Sequence, residues 1–391
     1  MDQPKQVSAK QFALIVFLAA VAIQLFMLPG LVMRVTGRDS YMVMFAVMLL
    51  EGVNLFFILA ILKRNPDKTC FQILTDCAGK IAARVIAVLF GLFAFFKLML
   101  IIGEIHMFFA EAVFEEFSWN IMVLPLLMIL YLAVRKTLRT IGRLAEILVP
   151  LVFISGVTMC VLLTPPIEFV KLLPVLEQGP APVFESLWQF PVWYLDMPFL
   201  LIFLGNVKLS KKCVPGSVVT FVLATVMVVV MPLVLYSTHS DIRYLVNYGH
   251  NASRLTSHSA EMQEFGRFDI MLYCLWILGI FLHMCITFSA LIVSAEYVIG
   301  VRGRRRTVNL CALAVVYVLS VTLFMRPDFL YGFFTGPIRL VVVPVPLLLP
   351  LFLFICARVK YKPHPSPYHH EIDKRRKKTR HETQKAPSQK G

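Results

Sequence analysis

Long apolar runs separated by short polar segments dominate the chain. Ten of these runs approach or exceed the roughly 20 residues that a helix needs to cross a bilayer, although the fourth is short. The pattern therefore predicts an all-α polytopic membrane protein with ten transmembrane helices. The expected spans cover residues 11–33, 40–62, 81–110, 120–134, 137–163, 183–206, 215–236, 267–298, 306–325 and 338–357.

Composition supports this class and excludes several others. Hydrophobic residues fill 58% of the 391 positions and charged residues only 16%, which leaves too little polar surface for soluble domains. The ATP-binding pattern GxxxxGK(S/T) and the zinc-protease pattern HExxH do not occur. The eight cysteines form no Cys-x-x-Cys pair, so we expect no disulfide and no metal site. We also expect no cofactor and no enzyme activity.

The net charge of +15 does not indicate nucleic-acid binding, because the basic residues lie in short loops between the apolar runs and in the C-terminal tail. Before residue 358, sixteen lysines and arginines flank the spans on one side and seven on the other. The positive-inside rule then places both termini in the cytoplasm. Residues 1–357 form the expected transmembrane domain. The basic tail 358–391 is expected to be disordered. It either determines the membrane topology or binds anionic lipids.

Two of the spans contain interruptions. Span 183–206 holds Pro191 and Pro198 with Asp196 between them, and the first span holds Leu28-Pro29-Gly30. Proline removes a backbone donor, and the freed backbone groups are tolerated in a membrane only where protein or water covers them. If the chain is two repeats of five helices, about 11–163 and 183–357, spans one and six are equivalent. Paired broken helices then predict a small-molecule site, whereas the alternative is a pair of packed proline kinks.

Ionisable residues inside the spans are the other candidates for function. Asp196 either binds an amine or a proton, or bonds to freed backbone. Lys97 lies near mid-membrane, so we expect a carboxylate partner for it, with Glu51 and Asp196 as candidates. This lysine is either a structural ion-pair member or a fixed positive charge in an ion-coupling site. Glu104 shares its helix face but is expected nearer the outer interface.

Three further polar residues are expected to make structural contacts. Arg143 and Glu146 are three positions apart and can pair along one helix face. His283 is a lone polar residue in span eight, more typical of a contact between helices than of a proton relay.

Several short motifs resemble one family of membrane proteins, the spore germination permeases. These are the integral-membrane B subunits of germinant receptors, within the amino acid–polyamine–organocation superfamily. The similar stretches run through nearly the whole chain in the same order. They are Leu28-Pro29 followed by Asp39-Ser40-Tyr41; Pro66-Asp67-Lys68-Thr69 with Ile73 and Gly79-Lys80; Arg143-Leu144-Ala145-Glu146 with Pro150; Leu173-Pro174 with Gly179; Phe190-Pro191 with Pro198; and Phe265-Gly266-Arg267-Phe268-Asp269 leading into Trp276.

The resemblance implies a LeuT-like fold, built from two inverted five-helix repeats with helices one and six broken. It implies a location in the inner membrane of a bacterial spore and a germinant that is an amino acid or a similar small molecule. It also implies two partners, a larger A subunit and a lipoprotein C subunit.

The chain departs from the family pattern in its first span. Where members usually carry Gly-x-Gly, this sequence has Ala22-Ile23-Gln24. Gln24 either fills the ligand space or supplies an amide that contacts the ligand. The expected ligand-binding residues are Ala22, Gln24, Leu28, Gly30, Pro191, Tyr194 and Asp196.

Three functions follow as hypotheses. The first is a receptor subunit that binds a germinant and signals to its partners. The second is an ion-coupled amino acid transporter of the same fold, and the third is a membrane scaffold with a vestigial pocket.

Overall fold

The computed structural model describes residues 7–25, 27–112, 119–134, 138–162, 168–238, 268–300, 305–324 and 326–361. The tail beyond residue 361 and the motif residues 265–267 lie outside the described residues. The described chain is almost wholly helical, and its β-type pairing is a single parallel bridge between Val7 and Val207. The all-α prediction is therefore confirmed for this part of the chain.

The α-helices are numbered in chain order. They are α1 (Ala9–Val21), α2 (Met27–Thr36), α3 (Ser40–Arg64), α4 (Cys70–Ala112), α5 (Trp119–Val134), α6 (Leu138–Leu162), α7 (Ala181–Gln189), α8 (Pro191–Tyr194), α9 (Cys213–Thr238), α10 (Phe268–Ile299), α11 (Arg305–Thr322), α12 (Pro327–Thr335), α13 (Ile338–Val342) and α14 (Pro344–Lys360). Short 3-10 helices cover Gly37–Asp39, Phe169–Leu172 and Met197–Phe203.

Six helical stretches are long and apolar enough to cross a membrane, by length and composition. They are Met27–Arg64, Cys70–Phe109, Leu138–Val161, Cys213–Ser237, Met271–Ile299 and Ile338–Lys360. The apolar helices Ala9–Val21, Trp119–Val134 and Arg306–Thr322 are shorter. The protein is thus a helical membrane protein, and the count of ten spans stays a prediction.

The first predicted span is interrupted within the stretch that contains Ala22-Ile23-Gln24. Helix α1 ends at Val21, a turn covers residues 22–25, and α2 begins at Met27. Pro29 lies in the first turn of α2, where the backbone N–H has no acceptor within the helix and its loss costs little. The interruption therefore lies at Ala22–Leu25, and the expectation of a break at Leu28-Pro29-Gly30 was wrong.

The sixth span is broken twice, as its prolines predicted. Helix α7 stops before Phe190, the single turn α8 follows, and Leu195 and Asp196 separate α8 from the 3-10 helix Met197–Phe203. Both prolines lie in the first turn of the element that they begin, where a missing N–H is tolerated. Residues 190–204 are all buried, so neighbouring helices cover this irregular backbone.

Helices α3, α4, α10 and α14 contact this segment. Helix α10 also packs against α4 and α6, while α1 packs against α9 and α6. Helix α4 changes direction at Gly79, whose φ of 79° is accessible to glycine but costly for other residues. The part of α4 that follows Gly79 carries Lys97 and Glu104 into the protein interior.

The flanks of the two interrupted spans meet at one end of the molecule. Val7 N donates to Asn206 O at 3.1 Å, and Lys208 N donates to Val7 O at 2.8 Å. Gly205, with φ of 80°, turns the chain there against the backbone of Lys68 and Thr69. The two broken segments are therefore tied together outside the core as well as inside it.

Candidate ligand and ion site

A buried ion pair lies at the break of the sixth span. Lys97 Nζ is 2.8 Å from Asp196 Oδ1, and both side chains are fully buried. His283 Nε2, from α10, lies 3.1 Å from the same oxygen. The expected carboxylate partner of Lys97 is thus Asp196, and two groups from two helices converge on one oxygen of this residue.

Lys97 also holds the freed backbone of the broken segment. Its ammonium group donates to Val192 O at 2.8 Å and to Trp193 O at 2.7 Å. With the contact to Asp196, the three protons of the ammonium group each have an oxygen acceptor. Two carbonyls and a carboxylate are oxygen ligands of the kind that also coordinate a bound metal cation.

Glu51, from α3, binds the other side of the break. Its Oε2 accepts from Met197 N at 2.6 Å and from Asp196 N at 3.1 Å, while Oε1 accepts from Asn54 Nδ2 at 3.3 Å. These N–H groups begin the 3-10 helix Met197–Phe203, where orphan donors favour an anionic acceptor. Glu51 therefore stabilises the broken conformation through the backbone rather than by pairing with Lys97.

Glu104 lies in the core of the protein. Its side chain is fully buried, and its Oε1 accepts from Trp193 Nε1 at 2.8 Å and from Tyr331 OH at 3.2 Å. Trp193 stacks on the Tyr331 ring with centroids 5.6 Å apart. Lys97 and Glu104 both contact Trp193, which agrees with their predicted position on one face of the helix.

The cluster contains more carboxyl groups than cationic groups. Glu51, Glu104 and Asp196 are fully buried beside one ammonium group, that of Lys97, and one imidazole. Uncompensated charge is costly in a dry interior. The arrangement therefore favours protons, a cation or a cationic ligand.

The break of the first span reaches the break of the sixth through Gln24. Its Nε2 donates to Tyr194 O at 3.1 Å, and the side chain is fully buried. Gln24 Oε1, Asp196 Oδ2 and His283 Nδ1 have no hydrogen-bond partner among the described residues. Buried polar atoms are rarely left in this state, so each of these atoms is a potential ligand contact.

The other residues expected at the site lie around it. Ala22 is buried in the first break, and Pro191 begins α8. The Tyr194 hydroxyl donates to Leu187 O at 2.8 Å, within its own segment. Leu28 and Gly30 are buried in regular α2 and so present no unwound backbone.

Arg143 and Glu146 do not join the site. Both are exposed on α6, and within the described residues no ion pair connects them. A spacing of three residues allows such a pair but does not require it, because an exposed pair has little to gain.

Sequence reasoning missed Trp193, Tyr331 and Asn54 as members of the cluster. These side chains are common in membrane helices, and nothing in their local spacing marks them. His283 was predicted to make a contact between helices, and the structure confirms this. The sequence did not predict that its partner is Asp196. The partner depends on how α10 packs, which a linear pattern does not encode.

The chain is thus a helical membrane protein whose interrupted helices meet at a central charge cluster, an arrangement typical of permeases. The family model described as spore germination protein matches residues 6–328. The chain therefore belongs to the spore germination protein family. No curated protein matches it in sequence.

Proposed function

We propose that this protein is the permease-like B subunit of a spore germinant receptor. In this proposal ten helices form a LeuT-like fold with two inverted repeats in the spore inner membrane, and both termini face the spore core. The subunit binds an amino acid or a similar small germinant at mid-membrane. It then signals to an A subunit and a lipoprotein C subunit.

The observation that carries the proposal is the pair of unsatisfied oxygens at the two breaks. Gln24 Oε1 and Asp196 Oδ2 are buried acceptors without donors, and the Gln24–Tyr194 bond brings their segments together. A ligand with an ammonium group supplies the missing donors and offsets the excess of carboxyl groups.

Signalling follows from the buried state of the site. Gln24, Lys97 and Asp196 are fully enclosed in this conformation, so a germinant enters only when the segments around them separate. A ligand shifts such an equilibrium only by binding one state more tightly than the other. In the proposed mechanism, the ligand-bound state differs at the two breaks, and the attached helices pass this difference to the partner subunits.

The test is germination of spores that carry Asp196→Asn, across a panel of amino acids, with protein level measured by immunoblot. The expected result is normal protein level with a loss of response to one amino acid, or a requirement for about tenfold more of it. Glu185→Gln is the matched control, because Glu185 belongs to α7 of the same span but is exposed. An unchanged response in Asp196→Asn spores would contradict the proposed site.

A second candidate, an ion-coupled amino acid transporter, is favoured by the contacts of Lys97. Its ammonium group occupies the centre of an oxygen cage formed by Val192, Trp193 and Asp196. Uptake of labelled amino acids into proteoliposomes separates the two functions. Uptake that depends on an ion gradient would support transport. Germinant-dependent signalling without uptake would support the receptor.

A further inference from the structure

A groove with basic edges opens at the end of the molecule where the two broken spans meet. It has a volume of about 880 Å³ and lies between the start of α1, the loop 208–212 and the start of α9. Thirteen residues line it. None of them is acidic, and three are lysines, namely Lys10, Lys208 and Lys212.

The lysines are available to an external ligand. All three are exposed, and within the described residues none of them forms an ion pair. The first turns of α1 and α9 lie at the same groove and add partial positive charge. The groove therefore attracts an anion.

Part of the groove lining is apolar. Ala13, Leu14, Leu209 and Val219 line it. Thr220 Oγ1 donates to Ala13 O at 2.8 Å, which fixes α9 against α1 at this level. A free phosphate would leave this apolar surface uncovered, whereas an acyl chain would cover it.

The groove also lies where a lipid headgroup would be. The membrane-spanning stretch Cys213–Ser237 begins directly after Lys212, so the lysines stand at the boundary between apolar helix and charged flank. Basic pockets between membrane helices at this level are typical sites for anionic headgroups. We propose that the groove binds one anionic phospholipid, with its phosphate among Lys10, Lys208 and Lys212 and an acyl chain along α1 and α9.

A lipid in this position would contact both interrupted spans. The groove includes residues that start α1 and residues that follow the sixth span. The bridge between Val7 and Val207 joins the same two segments of the chain. Bound lipid would hold these ends together and favour the enclosed state of the site. This inference concerns a separate site and stands whether or not the protein binds a germinant.

The test uses the full chain in neutral detergent, with bound lipid counted by native mass spectrometry. Phosphatidylglycerol is expected to remain bound to the wild type, and phosphatidylcholine is not. The triple variant Lys10→Gln/Lys208→Gln/Lys212→Gln is expected to retain phosphatidylglycerol about tenfold less well. The corresponding triple arginine variant is expected to retain it as the wild type does.

A matched control removes the same charge elsewhere. Lys63, Lys80 and Lys211 are exposed but do not line the groove, so their triple glutamine variant is expected to keep the lipid. Equal loss in both glutamine variants would overturn the proposal in favour of a general charge effect. Displacement by excess inorganic phosphate would identify a free-anion site instead, and equal retention of phosphatidylcholine would show nonspecific apolar adhesion.

A second measurement needs no variant. Photoreactive phosphatidylglycerol is expected to crosslink to wild-type residues 8–14 and 208–220, as located by peptide mass spectrometry. Crosslinks spread evenly over all lipid-facing helices, or confined to a partner protein bound at this end, would overturn the assignment.

Discussion

Lys97 and Asp196 form a 2.8 Å ion pair inside the protein, and neither side chain has any solvent exposure. The pair connects the middle of α4 to the break of the sixth span. Because Lys97 also binds two carbonyls of α8, a single side chain holds both the charge and the backbone of the broken segment.

Removal of Lys97 is expected to destabilise the protein strongly. Lys97→Met leaves Asp196 without its main cation and leaves two carbonyls without a donor, and the loss of one member of a buried pair costs about 3–5 kcal/mol. The measurement is the thermal midpoint of the purified protein in detergent. Lys63→Met, at the exposed end of α3, is the control and should change it little.

The double variant Lys97→Met/Asp196→Asn tests the cause. It removes both members of the ion pair, so it is expected to be more stable than Lys97→Met alone. A double variant whose loss equals the sum of the two single losses would show that the ion pair is not the source of stability.

Glu51 is expected to act through its oxygen acceptors. Glu51→Ala leaves the N–H groups of Asp196 and Met197 buried without a partner, at about 1–3 kcal/mol each. Glu51→Gln keeps an oxygen that accepts from both, so it should lose much less stability. The comparison is made by thermal unfolding, and equal losses in the two variants would exclude this role.

Trp193 and Tyr331 are expected to contribute jointly through Glu104. Trp193→Phe and Tyr331→Phe each remove one hydrogen bond to Glu104 Oε1 while keeping an aromatic ring, at about 1–3 kcal/mol each. A double-mutant cycle in thermal unfolding should show non-additive losses. Trp188→Phe, at an indole that is 58% exposed, is the control. Strictly additive losses would contradict a shared acceptor.

Gly205 is expected to be required for the turn that follows the sixth span. Its φ is 80°, and a Cβ there would lie 3.1 Å from backbone atoms of Lys68 and Thr69. Gly205→Ala should therefore cost about 1–3 kcal/mol. Gly332 lies in α12, where a Cβ meets nothing within 4 Å, so Gly332→Ala should be neutral or slightly stabilising. Similar midpoints for the two variants would refute this role of Gly205.

The sequence alone was sufficient for the class of protein and for one half of the site. Apolar runs of membrane-spanning length must become helices, because lipid offers no partners to bare backbone. Two prolines around Asp196 predicted a broken sixth span, since each removes a donor that a continuous helix needs. A lysine deep in an apolar run likewise predicted a carboxylate partner, because an unpaired ammonium group is too costly there.

Only the tertiary structure decided which partners meet and where the first span breaks. Lys97 had two candidate carboxylates, and the packing of α4 against the sixth span selected Asp196 while directing Glu51 to backbone N–H groups. Pro29 predicted a break at the wrong position. A proline in the first turn of a helix does not interrupt it, because the N–H groups there have no acceptor within the helix. The interruption is at Ala22–Leu25, where the Gln24 amide donates to Tyr194 O across 170 positions of sequence. Contacts over such separations arise from the packing of helices, and no local pattern encodes them.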